Sequence, residues 1–356
     1  MEETSTVPLV SVVIPAYNGS NTIEQTIKSV QVQDLRTEII IVDDSSSDQT
    51  LTKAIAVLKS GSNSYKIIRH PSNLGLSASL NDGLAIAHGE NVLVLHQDCE
   101  LMKPDWISSA VKCMDPKVAV VTGYYGMSDQ DEMNLAKKTF GLLRRQIHPR
   151  PAKDFEIVNF SEGKCDLYKK RVLESIGGFP TRYRIAGEDL SVSVQLRQRG
   201  YSILKQYNLP VLQRYGGKAQ SFRGNLRKEF EFGRAMGGIL GEHRFRIFED
   251  IGKGYARART THRAVQVAYT TLLFLSALAY LSTMNPWFLV ATLSFLAYRY
   301  VYYALTISSG FRNQRSLAEH PLIDTLWMPA LGILSDPIYS LGFLWGLLKW
   351  VGGRKI

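Results

Sequence analysis

The chain has 356 residues, 45% of them hydrophobic, and 42 Lys and Arg against 32 Asp and Glu give a formal net charge of +10. That length excludes a minimal scaffold and supplies material for about two domains with a substantial core. Three cysteines, Cys99, Cys113 and Cys165, an odd number, stand without CxxC spacing, which supports neither a disulfide framework nor a zinc knuckle and points to a reducing compartment.

The N-terminal MEETSTVPLV has no basic n-region, and the apolar run that follows is too short for a signal sequence, so the front of the protein is expected in the cytoplasm. Short apolar runs at 9–15, 38–44, 65–70, 91–98 and 117–123 then alternate with segments of helical length. Such runs read as parallel strands with crossover helices, an α/β nucleotide-binding sheet with flanking helices. Ligands in these sheets bind beyond the carboxyl ends of the strands.

The first run ends in Pro15-Ala16-Tyr17-Asn18 and the second in Asp43-Asp44-Ser45-Ser46-Ser47-Asp48. Carboxylates there either accept hydrogen bonds from a base and a ribose or serve as turn and cap residues. The fourth run ends in His96-Gln97-Asp98, where Asp98 is either a solvated turn residue or a ligand for Mg²⁺ or Mn²⁺ bound to diphosphate. One carboxylate suffices for such an ion, because phosphate oxygens and water complete its shell. Further on, Gly177-Gly178-Phe179-Pro180 and Gly187-Glu188-Asp189-Leu190 precede the helical pattern SVSVQLRQRG. A carboxylate at a helix start either caps it or is held ionised by the helix dipole, as a general base requires. No GxGxxG or GxxxxGK[ST] occurs, which argues against a Rossmann dehydrogenase or P-loop enzyme.

Basic residues crowd into 223–263, next to an uncharged stretch at 264–283. This fits a juxtamembrane collar on anionic lipid better than a nucleic-acid patch. The stretch 264–283 is expected to span a membrane, followed by a second span at 287–309 that carries only Arg299. A third apolar region, 322–350, lies between Arg312, Arg315 and Arg354, Lys355. Positive flanks on both sides, and a break at Ser335-Asp336-Pro337 leaving two short arms, predict a re-entrant or interfacial hairpin. The expected organisation is a catalytic domain at 1–235, a basic linker at 236–263 and a membrane region at 264–356.

Residues 9 to about 234 resemble the family 2 glycosyltransferases, whose catalytic domain has the GT-A fold. The likeness lies in IPAYN, VDDSSSDQT, HPSNLGLSASLNDGLAIAHGE, VLHQDCEL, GGF and GEDLSVSVQLRQRGY, in that order. It implies an inverting, metal-dependent hexosyltransferase, multi-pass in the cell membrane with its catalytic domain cytoplasmic. The implied partners are a UDP- or GDP-linked sugar donor and a lipid-linked or membrane-associated acceptor such as a polyprenyl phosphate; no nucleic acid is implied. Implied donor contacts are Pro15, Tyr17, Asn18, Asp43, Asp44, Asn81, Gln97 and Asp98, with the metal on Asp98 and catalysis at Asp189 with Glu188. Gly178, Arg214 and Arg223 are candidates for acceptor or phosphate contact, since Arg forks match phosphate oxygens; a solvated helix face is the alternative for Arg223. The usual DxD stands here as His96-Gln97-Asp98, and the QxxRW of processive members as Gln220-Ser221-Phe222-Arg223-Gly224, which disfavours a polysaccharide synthase. A tethered nucleotide-sugar or lipid-binding protein without turnover is the competing class.

Overall fold

The apolar runs become strands buried on both faces. β1 (Val10–Ala16) and β2 (Thr37–Asp43) are buried throughout, and β4 (Asn91–Leu95) likewise, while β3 (Ser64–Arg69) is partly exposed. Val10, Val12 and Ile14 pack with Ile23 and Ile27 on one side of the sheet, and Val13, Ile40 and Val42 pack with Leu80 and Leu84 on the other. Apolar side chains on both faces are why the runs are continuous rather than alternating. The computed structural model describes residues 10–126, 139–142, 152–183, 186–214, 221–244, 255–313 and 321–353. It divides into two compact units, Met1–Ser128 with Arg150–Gly216, and Asp129–Pro149 with Gly217–Ile356.

In the first unit, helices α1 (Ile23–Gln31), α2 (Thr50–Ser60) and α3 (Leu76–Ile86) follow the first three strands. β5 (Cys99–Leu101), α4 (Trp106–Lys112) and β6 (Val118–Gly126) come next, then β7 (Phe155–Val158), β8 (Cys165–Lys169), α5 (Lys170–Ser175), α6 (Glu188–Gln198) and β9 (Ser202–Gln213). The sheet order is β3-β2-β1-β4-β8-β6-β9-β5, with β7 on β9. β3, β2, β1 and β4 are parallel, but β8 runs antiparallel between β4 and β6, so the sheet is mixed where an all-parallel one was expected. Because of that reversal, the start of β8 shares an edge with the carboxyl ends of β1, β2 and β4. β9 went unread although it alternates: Lys205, Tyr207, Leu209, Val211 and Gln213 are buried with partly exposed residues between them, the period-two signal of a strand.

The second unit contains α7 (Phe222–His243), α8 (Tyr255–Thr283), α9 (Pro286–Asn313) and α10 (Pro321–Val351). α8 and α9 form an antiparallel hairpin, in which Tyr269 Oη donates to the Phe295 carbonyl at 2.7 Å and the Ser276 and Thr292 hydroxyls meet at 3.0 Å. Three segments, Arg263–Thr283, Pro286–Phe311 and Asp324–Val351, are long and apolar enough to cross a membrane. The hairpin expected at 335–337 does not form, because α10 runs unbroken through Pro329 and Pro337. A proline removes one helical hydrogen bond. The Asp336 carboxylate meanwhile accepts from Arg299 Nε at 2.7 Å, from Nη2 at 3.1 Å and from the Tyr303 hydroxyl, fixing the helix at that point.

α7 and α10 touch backbone to backbone. A Cβ on Gly233 or Gly237 would lie 2.0 Å from the carbonyl oxygens of Tyr339 or Phe343, and one on Gly342 would lie 2.1 Å from that of Phe230. Of the stretch 236–263, residues 236–243 continue α7 and 255–263 begin α8. Arg246, Lys253, Arg315, Arg354 and Lys355 lie outside the described residues.

Candidate functional site

The turns after β1 and β2 are laced to each other. The Asn18 amide, in left-handed backbone at φ 50°, donates to Ser46 Oγ at 3.0 Å, and Asn18 Oδ1 accepts from the Ser47 amide at 2.9 Å. Pro15 lies inside β1, and Tyr17, just past it, is half exposed. Asp43 is buried: Oδ1 accepts from the Ser46 amide at 3.2 Å, and Oδ2 faces Arg69 Nε at 3.3 Å without a hydrogen bond. Asp44 is committed inward, accepting from the Leu74 and Gly75 amides at 2.7 and 2.9 Å and pairing with His70 Nδ1 at 2.8 Å. It shapes the 70–75 loop at the sheet edge.

Two of the expected donor contacts act as backbone clamps. Gln97 accepts from the Tyr17 amide at 3.0 Å and donates to the Tyr17 carbonyl at 2.9 Å, bridging the ends of β1 and β4. Asn81 does the same to Phe179, at 2.8 and 2.7 Å. That clamp needs Gly178, at φ 73°, because a Cβ there would meet Asn81 Oδ1 at 2.5 Å.

Asp98 is partly buried. Oδ2 accepts from Gln213 Nε2 at 3.0 Å, while among the described residues Oδ1 has only the Cys99 thiol at 3.7 Å. Lys164 Nζ donates to the other end of the Gln213 amide at 2.7 Å. Burial pushes the His96 imidazole down to about 4, against the pull of Asp98 and with that of Lys164. Its buried Nε2 has no partner among the described residues. Among the described residues no three His, Cys, Asp or Glu side chains gather as metal ligands. The one carboxylate at this turn, Asp98, suits a divalent ion whose shell diphosphate oxygens and water would complete. Arg214 donates its amide to the Asp98 carbonyl at 2.8 Å and turns its guanidinium onto Glu100. Arg223 is exposed near the start of α7, in the second unit.

The 161–164 loop ties this turn to α6. Lys164 accepts the His96 amide on its carbonyl at 2.8 Å. Next to it Gly163, at φ 73°, lies against Asp189, where a Cβ would stand 2.9 Å from Asp189 Cβ and 3.0 Å from Oδ2. Gly187, at φ 103°, lets α6 begin there, and Asp189 Oδ1 accepts the Leu190 amide at 2.7 Å. Ser193 Oγ donates to the Asp189 carbonyl at 2.6 Å and accepts from the Ser161 amide at 3.1 Å.

Asp166, which the sequence reading missed, completes an acidic trio. Its Oδ2 accepts from the Gly163 amide at 2.7 Å and from Tyr168 Oη at 3.3 Å. Burial, and then the charge of Asp189, raises Asp166 to about 6 despite the Gly163 amide bond; burial, then Asp189, raises Glu188 to about 8. At neutral pH Glu188 holds its proton. Glu188 and Asp189 share the first turn of α6.

Residues 11–177 match glycosyl transferase family 2. The chain is 31% identical over 169 residues to the GalNAc(5)-diNAcBac-PP-undecaprenol beta-1,3-glucosyltransferase of Campylobacter jejuni, covering 47% of this chain and 54% of the relative. It is 29% identical over 203 residues to the poly-beta-1,6-N-acetyl-D-glucosamine synthase of Staphylococcus aureus, covering 54% of this chain and 47% of the relative. The chain thus spans about half the length of these relatives. The solved structure of a mannosyltransferase from Pyrobaculum calidifontis, in complex with GDP-Man and Mn²⁺, is similar in fold: TM-score 0.56 at 19% identity, over 95% of this chain and 88% of that one. By these matches the 11–177 region of the chain is similar to glycosyl transferase family 2, on a GT-A-type sheet built from residues 10–213, with long apolar helices in the C-terminal part.

Proposed function

We propose that this protein transfers a sugar, with inversion, from a UDP- or GDP-linked donor to a lipid-linked acceptor such as a polyprenyl phosphate, its catalytic unit facing the cytoplasm. The observation that carries the reading is the seating of Asp189 at the head of α6 against Gly163, on a loop hydrogen-bonded to the turn that bears Asp98. The base of the reaction and the residue that would hold the metal are thereby linked through one loop. Asp189 takes the proton from an acceptor hydroxyl, or orients an acceptor oxygen that is already anionic, as it attacks the anomeric carbon. Asp43 and the exposed Tyr17 ring line the nucleoside side of the edge. Asp98 is the residue that would hold Mg²⁺ or Mn²⁺, which supplies positive charge against the departing diphosphate.

The similarity to an enzyme named for an undecaprenol-linked substrate and the three apolar helices support a membrane acceptor. The similarity to a polymer synthase supports a second reading, a polysaccharide synthase, against which stands Gly224 where processive members carry tryptophan. The test is transfer from a panel of labelled UDP- and GDP-sugars to extracted membrane lipids. We expect transfer that stops on chelation and falls on the order of 10² or more in Asp189→Asn, with donor binding retained. Full activity of Asp189→Asn on a hydroxyl acceptor refutes the base assignment; full activity under chelation refutes the metal.

A further inference from the structure

We infer that α10 does not cross the membrane but lies along its surface, with one apolar face on the lipid and α7 clamped to the opposite side. The inference rests on the reading of α8 and α9 as a membrane hairpin. Its first ground is the direction of α10. At about 100° per residue, Arg299, Tyr303 and Tyr300 stand at successive angles around α9 and within about 6 Å of one another along it. Arg299 meets α10 at Asp336, Tyr303 at Gly332 and Asp336, and Tyr300 at the Leu326 carbonyl. The contact travels around α9 rather than along it, so α10 crosses the hairpin steeply.

The second ground is depth. Arg299 pairs with Asp336, and Arg263 stacks on the Tyr339 ring at 4.4 Å while its Nη1 donates to Glu229 at 2.8 Å. Along their helices Arg299 and Arg263 stand about 21 and 33 Å from the hairpin tip at Asn285, at 1.5 Å per residue. These distances bracket the ~30 Å hydrocarbon layer, so the belt of buried charges through which α10 passes begins in the part of the layer remote from the tip and reaches its far boundary.

The third ground is the two-sidedness of α10. Leu326, Leu334, Leu341, Leu344, Trp345 and Leu348 are exposed on one stripe. The residues that touch α7, namely Tyr339, Gly342, Phe343 and Gly346, occupy the opposite stripe. α7 itself carries Arg227, Lys228, Glu231 and Arg234. A helix so charged, held backbone to backbone along the last three turns of α10, would have to enter hydrocarbon if α10 crossed. An in-plane helix needs no such step, because its apolar face meets the acyl chains and its polar companion faces water.

The test is depth measurement by power-saturation EPR on full-length protein in phosphatidylcholine–phosphatidylglycerol vesicles. Single spin labels are placed at Leu326→Cys, Leu334→Cys, Leu341→Cys and Leu348→Cys in a Cys113→Ser background; Cys99 and Cys165 are fully buried. These positions share a face and span about 33 Å of helix. One common, shallow depth at all four supports the inference. A depth that peaks at 334 and 341 and falls at both ends overturns it, as does free access of a nickel chelate to all four. Dipolar broadening relieved by unlabelled protein also overturns it, by assigning the face to a second copy. Labels at Val265→Cys, Leu275→Cys and Leu281→Cys on α8 should be deepest in the middle; a flat profile there overturns the hairpin on which the inference rests.

Discussion

Gly163 is the residue on which the seating of Asp189 turns. Its φ of 73° is strained for any side chain, and an added Cβ would press on Asp189 from 2.9 Å. Gly163→Ala is therefore expected to lower kcat by tenfold or more while donor affinity, measured by titration calorimetry, stays within about twofold, since displacement of a reacting group by about 1 Å can cost 10²-fold. Equal losses in both would mean that the loop as a whole had collapsed. Glu188 gives a second expectation, in stability. Its carboxyl is raised by burial, then by Asp189, from 4.5 to about 8. The folded state keeps a proton that the unfolded chain releases, so stability falls as pH rises from 4.5 to 8. Glu188→Gln, which stays neutral, should flatten the fall of Tm across that window. Parallel Tm curves for the two proteins would show Glu188 ionised in the fold.

At the scale of elements, the ion pair between α9 and α10 is a fastening with a known asymmetry. Arg299 is fully buried and stacks near the Tyr302 and Tyr303 rings at 5.0 and 4.5 Å. Removing one partner strands the other charge, at about 3–5 kcal/mol, whereas replacing both by apolar residues is often neutral. Arg299→Met should thus lower the melting temperature in detergent markedly, and Arg299→Met with Asp336→Leu should recover most of it. A double variant as unstable as the single one would place the cost in lost packing instead. The sequence marked Arg299 as the lone charge in its span and Asp336 as a break, but it gave no sign that the two meet. A pairing 37 residues apart depends on how α10 crosses α9.

Across the whole chain, the reading of function requires donor motifs and nucleotide-sugar supply on one side of the membrane. With α8 and α9 crossing in opposite directions and α10 lying flat, reporters fused before Met1, near Arg312 and after Ile356 should all report the cytoplasm, and one near Asn285 the exterior. An external N-terminus would separate the catalytic unit from its donor and overturn the function. An external C-terminus alone would show that α10 crosses.

The sequence by itself determined the family likeness and the strands that carry its motifs. A strand buried on both faces must be an uninterrupted apolar run, and IPAYN, VDDSSSDQT and GEDL are local signals that survive without a neighbour. Tertiary structure alone decided which polar groups are spent and which are available. Asn81 and Gln97 look like ligands in the sequence, yet each amide is satisfied by one backbone partner, because a side-chain amide can stand in for a peptide group. Asp166 looks like an ordinary strand residue, yet the reversal of β8 brings it beside Glu188 and Asp189. The glycines of α7 and α10 are spaced by four in the sequence, but only the pairing of the two helices turns that spacing into contact between backbones. Charge, burial and close approach depend on distances across the fold, and those distances are set by residues far apart in the chain.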